Sequence, residues 1–288
     1  MAMDGINSPP TQSFVEGANV KTLHIGKPRF SALMSSAETD TSSGGQASSR
    51  TAAAPAHTTN GACHCGADHT IESLLDGVAR FQNDTFLSQR AEFEALSEGQ
   101  APHTLFITCA DSRVAPELIT GARPGEIFVC RNIGNIVPAY GEMLGGVSAV
   151  IEYAVLALKV KHIVVCGHTN CGAMKALSAG PHLLNESMPT VRAWLRNAES
   201  ARSVLMATHG EEAITDHDAL AFENVSTQLT HLRTHPSVAA RLADGSLQIH
   251  GWVFNIGGPR VAVRDHNGVW HSDIRGSTSD VAAIETAS

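Results

Sequence analysis

Aromatic residues make up only 5% of the 288-residue sequence, with just two tyrosines, and basic charge is in deficit. Twenty Lys and Arg stand against 28 Asp and Glu, a formal net charge of -8. That balance lacks the electrostatic footprint needed for nucleic acid or an anionic membrane surface. No apolar run approaches the ~20 residues of a membrane-spanning helix. The first ten residues have neither the basic start nor the apolar stretch of a secretory signal. Six cysteines are too few to staple a chain of this length as a disulfide framework. Metal binding in a reducing compartment fits them better, and the cytoplasm is the expected location. The hydrophobic share of 43% is enough for a large core.

Residues 1–68 read as a disordered tail. Apolar periodicity is weak there, and Ser36–Thr59 is nearly all small or polar, so the segment buries too little to offset its ordering entropy. The Ser/Ala/Thr-rich Ser31–Thr58 has the look of a transit peptide, but Glu38, Asp40 and the scarcity of basic residues speak against one. Cys63, His64 and Cys65, with His57 and His69, form a Cys/His tract that reads as a thiol-bearing linker, a second metal site being the alternative.

Residues 69–288 carry the periodic patterns of one folded domain. Ile71, Leu74, Leu75, Val78 and Phe81 recur at helical spacing, followed after a break near Asn83-Asp84 by Phe86, Phe93 and Leu96. Strands are expected at Thr104–Thr108, Glu126–Arg131, His162–Cys166 and Leu247–Asn255, with Arg260–Asp265 as a hairpin partner. Helical patterns cover Pro116–Ile119, Val147–Leu158, Gly172–Leu177, Met188–Leu205 and Ala219–Thr234. Strands alternating with helices predict an α/β fold. The expected sheet has about four parallel strands and an antiparallel edge strand, flanked by helices.

Two stretches carry chemistry: Cys109-Ala-Asp-Ser-Arg113 and His168-Thr-Asn-Cys171. Each follows a predicted buried strand, where open parallel sheets place their sites. Two thiols, an imidazole and a carboxylate suit a tetrahedral zinc ion, and three firm ligands with one exchangeable position is the pattern of catalytic zinc. Asp111 has two arrangements open to it. Paired with Arg113, it leaves the fourth position to water and orients the hydroxide that zinc supplies near neutral pH; swung onto zinc, it closes the site. Cys130 and Cys166, inside apolar strands, read as small buried hydrophobes.

From about Ile71 to Asp273 the sequence resembles a β-class carbonic anhydrase. The resemblance rests on Cys109-Ala-Asp-Ser-Arg-Val114, Pro124–Asn132, Ser148–Ala154 and Val164–Gly172, in that family's order and spacing. It implies one zinc per chain, held by Cys109, His168 and Cys171, with Asp111 as fourth ligand or as dyad partner of Arg113. It implies reversible hydration of carbon dioxide to bicarbonate and a proton, by attack of zinc-bound hydroxide. Gln100 becomes a hydrogen-bond donor to substrate. Phe128, Ile133, Tyr153 and Gly172 become walls of the carbon dioxide pocket of the plant-like branch. Two protomers build each pocket in that family, so a homodimer or a multiple of dimers is implied. One branch carries a bicarbonate pocket with a Trp three residues before the first Cys; Phe106 stands there instead. The alternatives are hydrolysis of carbonyl sulfide or carbon disulfide on the same fold, or a zinc-stabilised module without catalysis. The Asp-x-Arg spacing speaks against the last.

Overall fold

The computed structural model describes residues 70–142, 145–180 and 187–272. The tail 1–68, with Cys63, His64 and Cys65, lies outside the described residues. Helix α1 (Ile71–Arg80) passes through a π-helical turn, Phe81–Thr85, and the turn Phe86–Ser88 into α2 (Arg90–Ser97). Near Asn83-Asp84, where a break is expected, the backbone stays helical as the π-turn, with Asn83 Nδ2 donating to the Ala79 carbonyl at 2.8 Å; the helix is interrupted at Gln89, at φ -117° and ψ 23°. Then come β1 (Thr104–Cys109), α3 (Pro116–Thr120), β2 (Ile127–Asn132), and α4 (Gly146–Glu152) with a π-helical extension, Tyr153–Ala157. They are followed by β3 (His162–His168) and α5 (Gly172–Ala179). The rest of the fold is α6 (Pro189–Leu195), α7 (Glu199–His209), α8 (His217–Leu232), α9 (Pro236–Ala243), β4 (Gln248–Phe254), β5 (Val261–Arg264) and β6 (Trp270–His271).

The helix expected over Met188–Leu205 is two helices, α6 and α7, joined by the 3-10 turn Arg196–Ala198. Asn197 Nδ2 donates to the Trp194 carbonyl at 2.8 Å, which diverts that acceptor from the helix. Helix α9, opened by Pro236, and the two-residue β6 were not expected from periodicity.

The sheet order is β2-β1-β3-β4-β5-β6. The first four strands are parallel and the last two antiparallel, so the expected antiparallel edge is two strands rather than one. All six residues of β1 are buried, and so are six of the seven in β3, as strands covered on both faces require. Leu105, Ile107, Ile163, Val165 and Val253 pack against α4, α8 and α9, while Phe106, Val164 and Cys166 fill the opposite face. Helix α8 starts under a true cap: the Asp216 carboxylate accepts from the amides of Asp218 and Ala219. It lies close on β3 because residue 167 is glycine; a Cβ there would meet Val225 Cγ2 at 2.9 Å. Among the described residues no helix is long and apolar enough to cross a membrane.

Between β2 and α4 the chain forms a strap whose residues Gly134 to Pro138 are all buried without forming a strand. Irregular buried backbone needs partners, and one side of α8 supplies them. Asn224 Nδ2 donates to the Gly134 carbonyl at 3.0 Å, and Gln228 Oε1 accepts from the Val137 amide at 2.8 Å. His231 Nδ1 sits 2.8 Å from the Val137 carbonyl, and His235 Nε2, just past the helix, 3.0 Å from that of Pro138. The spacing 224, 228, 231, 235 follows one helical ridge. Gln228→Leu keeps the volume but leaves the Val137 amide unpaired in the core and takes a donor from Asn224. The expected cost is ~2–3 kcal/mol, read as a lower denaturation midpoint at unchanged slope; an unshifted midpoint contradicts this account of the strap.

Candidate metal centre and active site

The three side chains expected to bind metal meet at the C-terminal ends of β1 and β3. The ligand atoms of Cys109, His168 and Cys171 all lie within 4.8 Å of one another, and all three residues are buried. Parallel pairing of β1 with β3 puts two strand ends side by side. A tight turn through Asn170, at φ 56°, brings Cys171 back beside His168 at the start of α5. His168 Nδ1 lies 2.9 Å from the Thr169 carbonyl, which can only accept. The proton is therefore on Nδ1, and the lone pair of Nε2 faces the two sulfurs. That Nε2 is buried without a hydrogen-bond partner, a costly arrangement unless a cation takes the lone pair. Two sulfurs and one such nitrogen fit a borderline-soft divalent ion of the zinc type.

Asp111 and Arg113 form the bidentate pair. Arg113 Nε donates to Oδ1 at 2.9 Å and Nη2 to Oδ2 at 2.7 Å, and the Arg113 amide adds a third bond to Oδ1 at 3.0 Å. Nη2 also reaches the Asn170 carbonyl at 3.3 Å. Asp111 Oδ2 stands 3.8 Å from His168 Nε2, next to the metal-binding atoms with both oxygens engaged by arginine. The guanidinium holds the Asp111 carboxyl far below the usual carboxylate range, so it is ionised throughout the working pH range.

The sulfurs are electrically unequal. A hydrogen bond from Cys171, helped by the Gly134 and Asp111 amides, draws the Cys109 thiol down against its burial. The same bond, with burial, pushes Cys171 up. A bound divalent cation would let both ionise. Burial lowers His168, but the Cys109 thiolate beside it outweighs that and raises it overall. Cys166 is pushed up to about 12 by burial, and burial raises Cys130, as inert core thiols require.

The expected pocket residues separate into two groups. Ile133 and Gly172 lie at the metal end, Ile133 directly after β2 and Gly172 beside Cys171. Gln100 is exposed and precedes β1, at the opposite end of the strand from Cys109. Phe128 and Tyr153 pair with each other, ring centroids 6.0 Å apart. Phe128 is four residues before Asn132, the neighbour of Cys109 in register, so about 13 Å away along β2. One chain therefore does not gather Gln100, Phe128 and Tyr153 around its own Cys109.

Arg131 was not singled out from the sequence, yet it shapes the Asp111 loop. Its guanidinium donates to the carbonyls of Cys109 at 3.2 Å, Asp111 at 2.7 Å and Val114 at 2.7 Å. Gly134 was missed as well: its amide donates to Cys109 Sγ at 3.4 Å. Its φ of 78°, and the Ala173 Cβ that an added Cβ would meet at 3.0 Å, leave room for glycine alone. The pairing of Arg131 with Thr108, one residue before Cys109, was the available signal; nothing in residue spacing marked Gly134.

A family model described as carbonic anhydrase matches residues 104–261. The carbonic anhydrase of Pseudomonas aeruginosa is 48% identical over 195 residues, covering 68% of this chain and 88% of that protein. Among solved structures, the β-carbonic anhydrase CcaA aligns with a TM-score of 0.66 at 40% identity over 70% of this chain and 99% of that one. A tetrameric β-carbonic anhydrase from Sordaria macrospora aligns with a TM-score of 0.56 at 33% identity over 67% of this chain and 95% of that one. With its parallel sheet, its Cys-His-Cys cluster and its paired Asp and Arg at the strand ends, the chain belongs to the carbonic anhydrase family, in its β class.

Proposed function

We propose that the chain catalyses the reversible hydration of carbon dioxide to bicarbonate and a proton, with one zinc ion held by Cys109, His168 and Cys171. Zinc, when bound, supplies a Lewis acid that makes water acidic near neutral pH. The observation that carries catalysis, rather than a purely structural metal, is the Asp111–Arg113 pair. A site closed by four ligands has no use for a carboxylate held beside the metal by an arginine. Asp111, ionised and able only to accept, would take a hydrogen bond from the attacking oxygen and turn its lone pair toward carbon. Arg113 keeps both Asp111 oxygens occupied and away from the metal. The Thr169 carbonyl fixes the His168 tautomer, so Nε2 would be free to hold the metal. Ile133 and Gly172 form the near wall of an apolar slot for carbon dioxide. The thiolate ligands suit the reducing cytoplasm.

The far wall comes from a second copy of the chain. Gln100, Phe128 and Tyr153, out of reach within one chain, are the residues a partner protomer would bring. The face of α1 supports this reading: Ile71, Leu74, Leu75, Val78 and Phe81 are 42–67% exposed in a continuous apolar stripe that needs a partner. The dimer is the smallest complete enzyme, and the tetrameric relative from Sordaria macrospora shows a larger assembly in the family.

Two tests follow. Arg113→Ala frees Asp111 to reach the nearest cation. The variant should retain metal and lose hydration activity by about a hundredfold or more, with a crystal structure showing the carboxylate on the metal. An Asp111 that stays in place would contradict the holding role. For the second copy, Leu74→Glu with Val78→Glu should give monomers by analytical ultracentrifugation that still bind metal but turn over little substrate. A monomer working at the parent rate would exclude a shared pocket.

A further inference from the structure

The peptide joining Ile133 to Gly134 is gripped at both ends. Its N–H, on Gly134, points at Cys109 Sγ at 3.4 Å. Its carbonyl, on Ile133, accepts from the indole Nε1 of Trp194 at 2.7 Å. One planar amide thus links a side chain of α6 to the sulfur at the end of β1, although α6 and β1 lie more than 80 residues apart in the chain. Trp194 packs against the Cys109 and Cys171 cluster as well, so the indole is fixed by packing while its N–H is spent on this carbonyl. The next peptide is fixed separately, by Asn224 Nδ2 on the Gly134 carbonyl at 3.0 Å.

From this geometry we infer that Trp194 is a positioning residue for Cys109, tuning its sulfur through the Ile133–Gly134 peptide. A hydrogen bond to an amide oxygen polarises the amide and makes its N–H a stronger donor. A stronger donor withdraws more charge from the thiolate, which then gives less to a bound metal and leaves the metal the stronger Lewis acid. The rigid plane also sets direction. With its carbonyl held at 2.7 Å the peptide cannot rotate its N–H away from the sulfur, and the φ of 78° at Gly134 needs that restraint because glycine offers none. The same bond fixes Ile133, the near wall of the substrate slot, at its backbone. One indole N–H therefore bears both on an amide donor to the Cys109 sulfur and on the backbone of Ile133. This inference rests on the reading of Cys109 as a metal ligand.

The test uses the full-length chain loaded with cobalt(II) in place of zinc, so that the sulfur-to-metal charge-transfer band reports the thiolate directly. Trp194→Phe removes the N–H and keeps an aromatic ring. Benzothienylalanine at position 194 removes the N–H and keeps the shape of indole, separating hydrogen bonding from packing. Both replacements should move the band to longer wavelength, because a thiolate that has lost donation holds its electrons less tightly. With zinc, both should lower kcat/KM by about two- to tenfold at full metal occupancy. A band unmoved in the benzothienylalanine protein would overturn the inference and leave Trp194 as packing alone. Absence of any sulfur-to-cobalt band in the parent protein would instead overturn the assignment of Cys109 as a ligand, and the inference with it.

Discussion

Two thiols and an imidazole lie within 4.8 Å of one another and out of water, and that crowding governs the rest of the structure. Ionised groups so buried are costly without compensation. The chain's own donors reach only part of the way: the amides of Gly134 and Asp111 face Cys109, those of Ala173 and Met174 face Cys171, and the nearest guanidinium is committed to Asp111. The result is a divided pair, with Cys109 drawn down and Cys171 driven up. A divalent cation would remove the conflict, with both sulfurs and His168 Nε2 as the groups that would hold it. The parallel pairing of β1 with β3, the turn at Asn170 and the buried strap beneath α8 all hold these atoms in place.

The strap shows how function constrains a segment with no regular structure. Its backbone is satisfied by side chains on a single ridge of α8, by Asn132 at the end of β2 and by Trp194 on α6. Helices that look like core packing thereby become part of the metal site's surroundings. Arg131 does the same for the Asp111 loop, holding three carbonyls with one guanidinium and so setting where the carboxylate can stand.

Much of this was legible in the sequence, for identifiable reasons. Strands β1 and β3 announce themselves as short β-branched, apolar runs, because strands buried on both faces carry no alternation to obscure them. Ligands placed directly after such runs fall at neighbouring strand ends, so Cys109, His168 and Cys171 could be brought together before any coordinates. The paired Asp111 and Arg113 were legible from their spacing, and the structure shows the pair, with three bonds from Arg113 to Asp111 Oδ1 and Oδ2. The contributions of Gly134, Asn224 and Trp194 were not legible, because each acts through a backbone group distant in sequence. The division of α6 from α7 escaped periodicity for a related reason: a single side-chain bond from Asn197 interrupts an otherwise continuous helical pattern. Gln100, Phe128 and Tyr153 stand away from Cys109 within one chain, a separation set by strand register that residue spacing does not reveal.

We propose that Cys109, Cys171 and His168 together hold one divalent ion. X-ray absorption at the zinc edge of the full-length, zinc-loaded protein at neutral pH tests it most directly. The account predicts two sulfur neighbours at about 2.3 Å and two nitrogen or oxygen neighbours at about 2.0–2.1 Å. A shell with no sulfur, or with three or four, would contradict it.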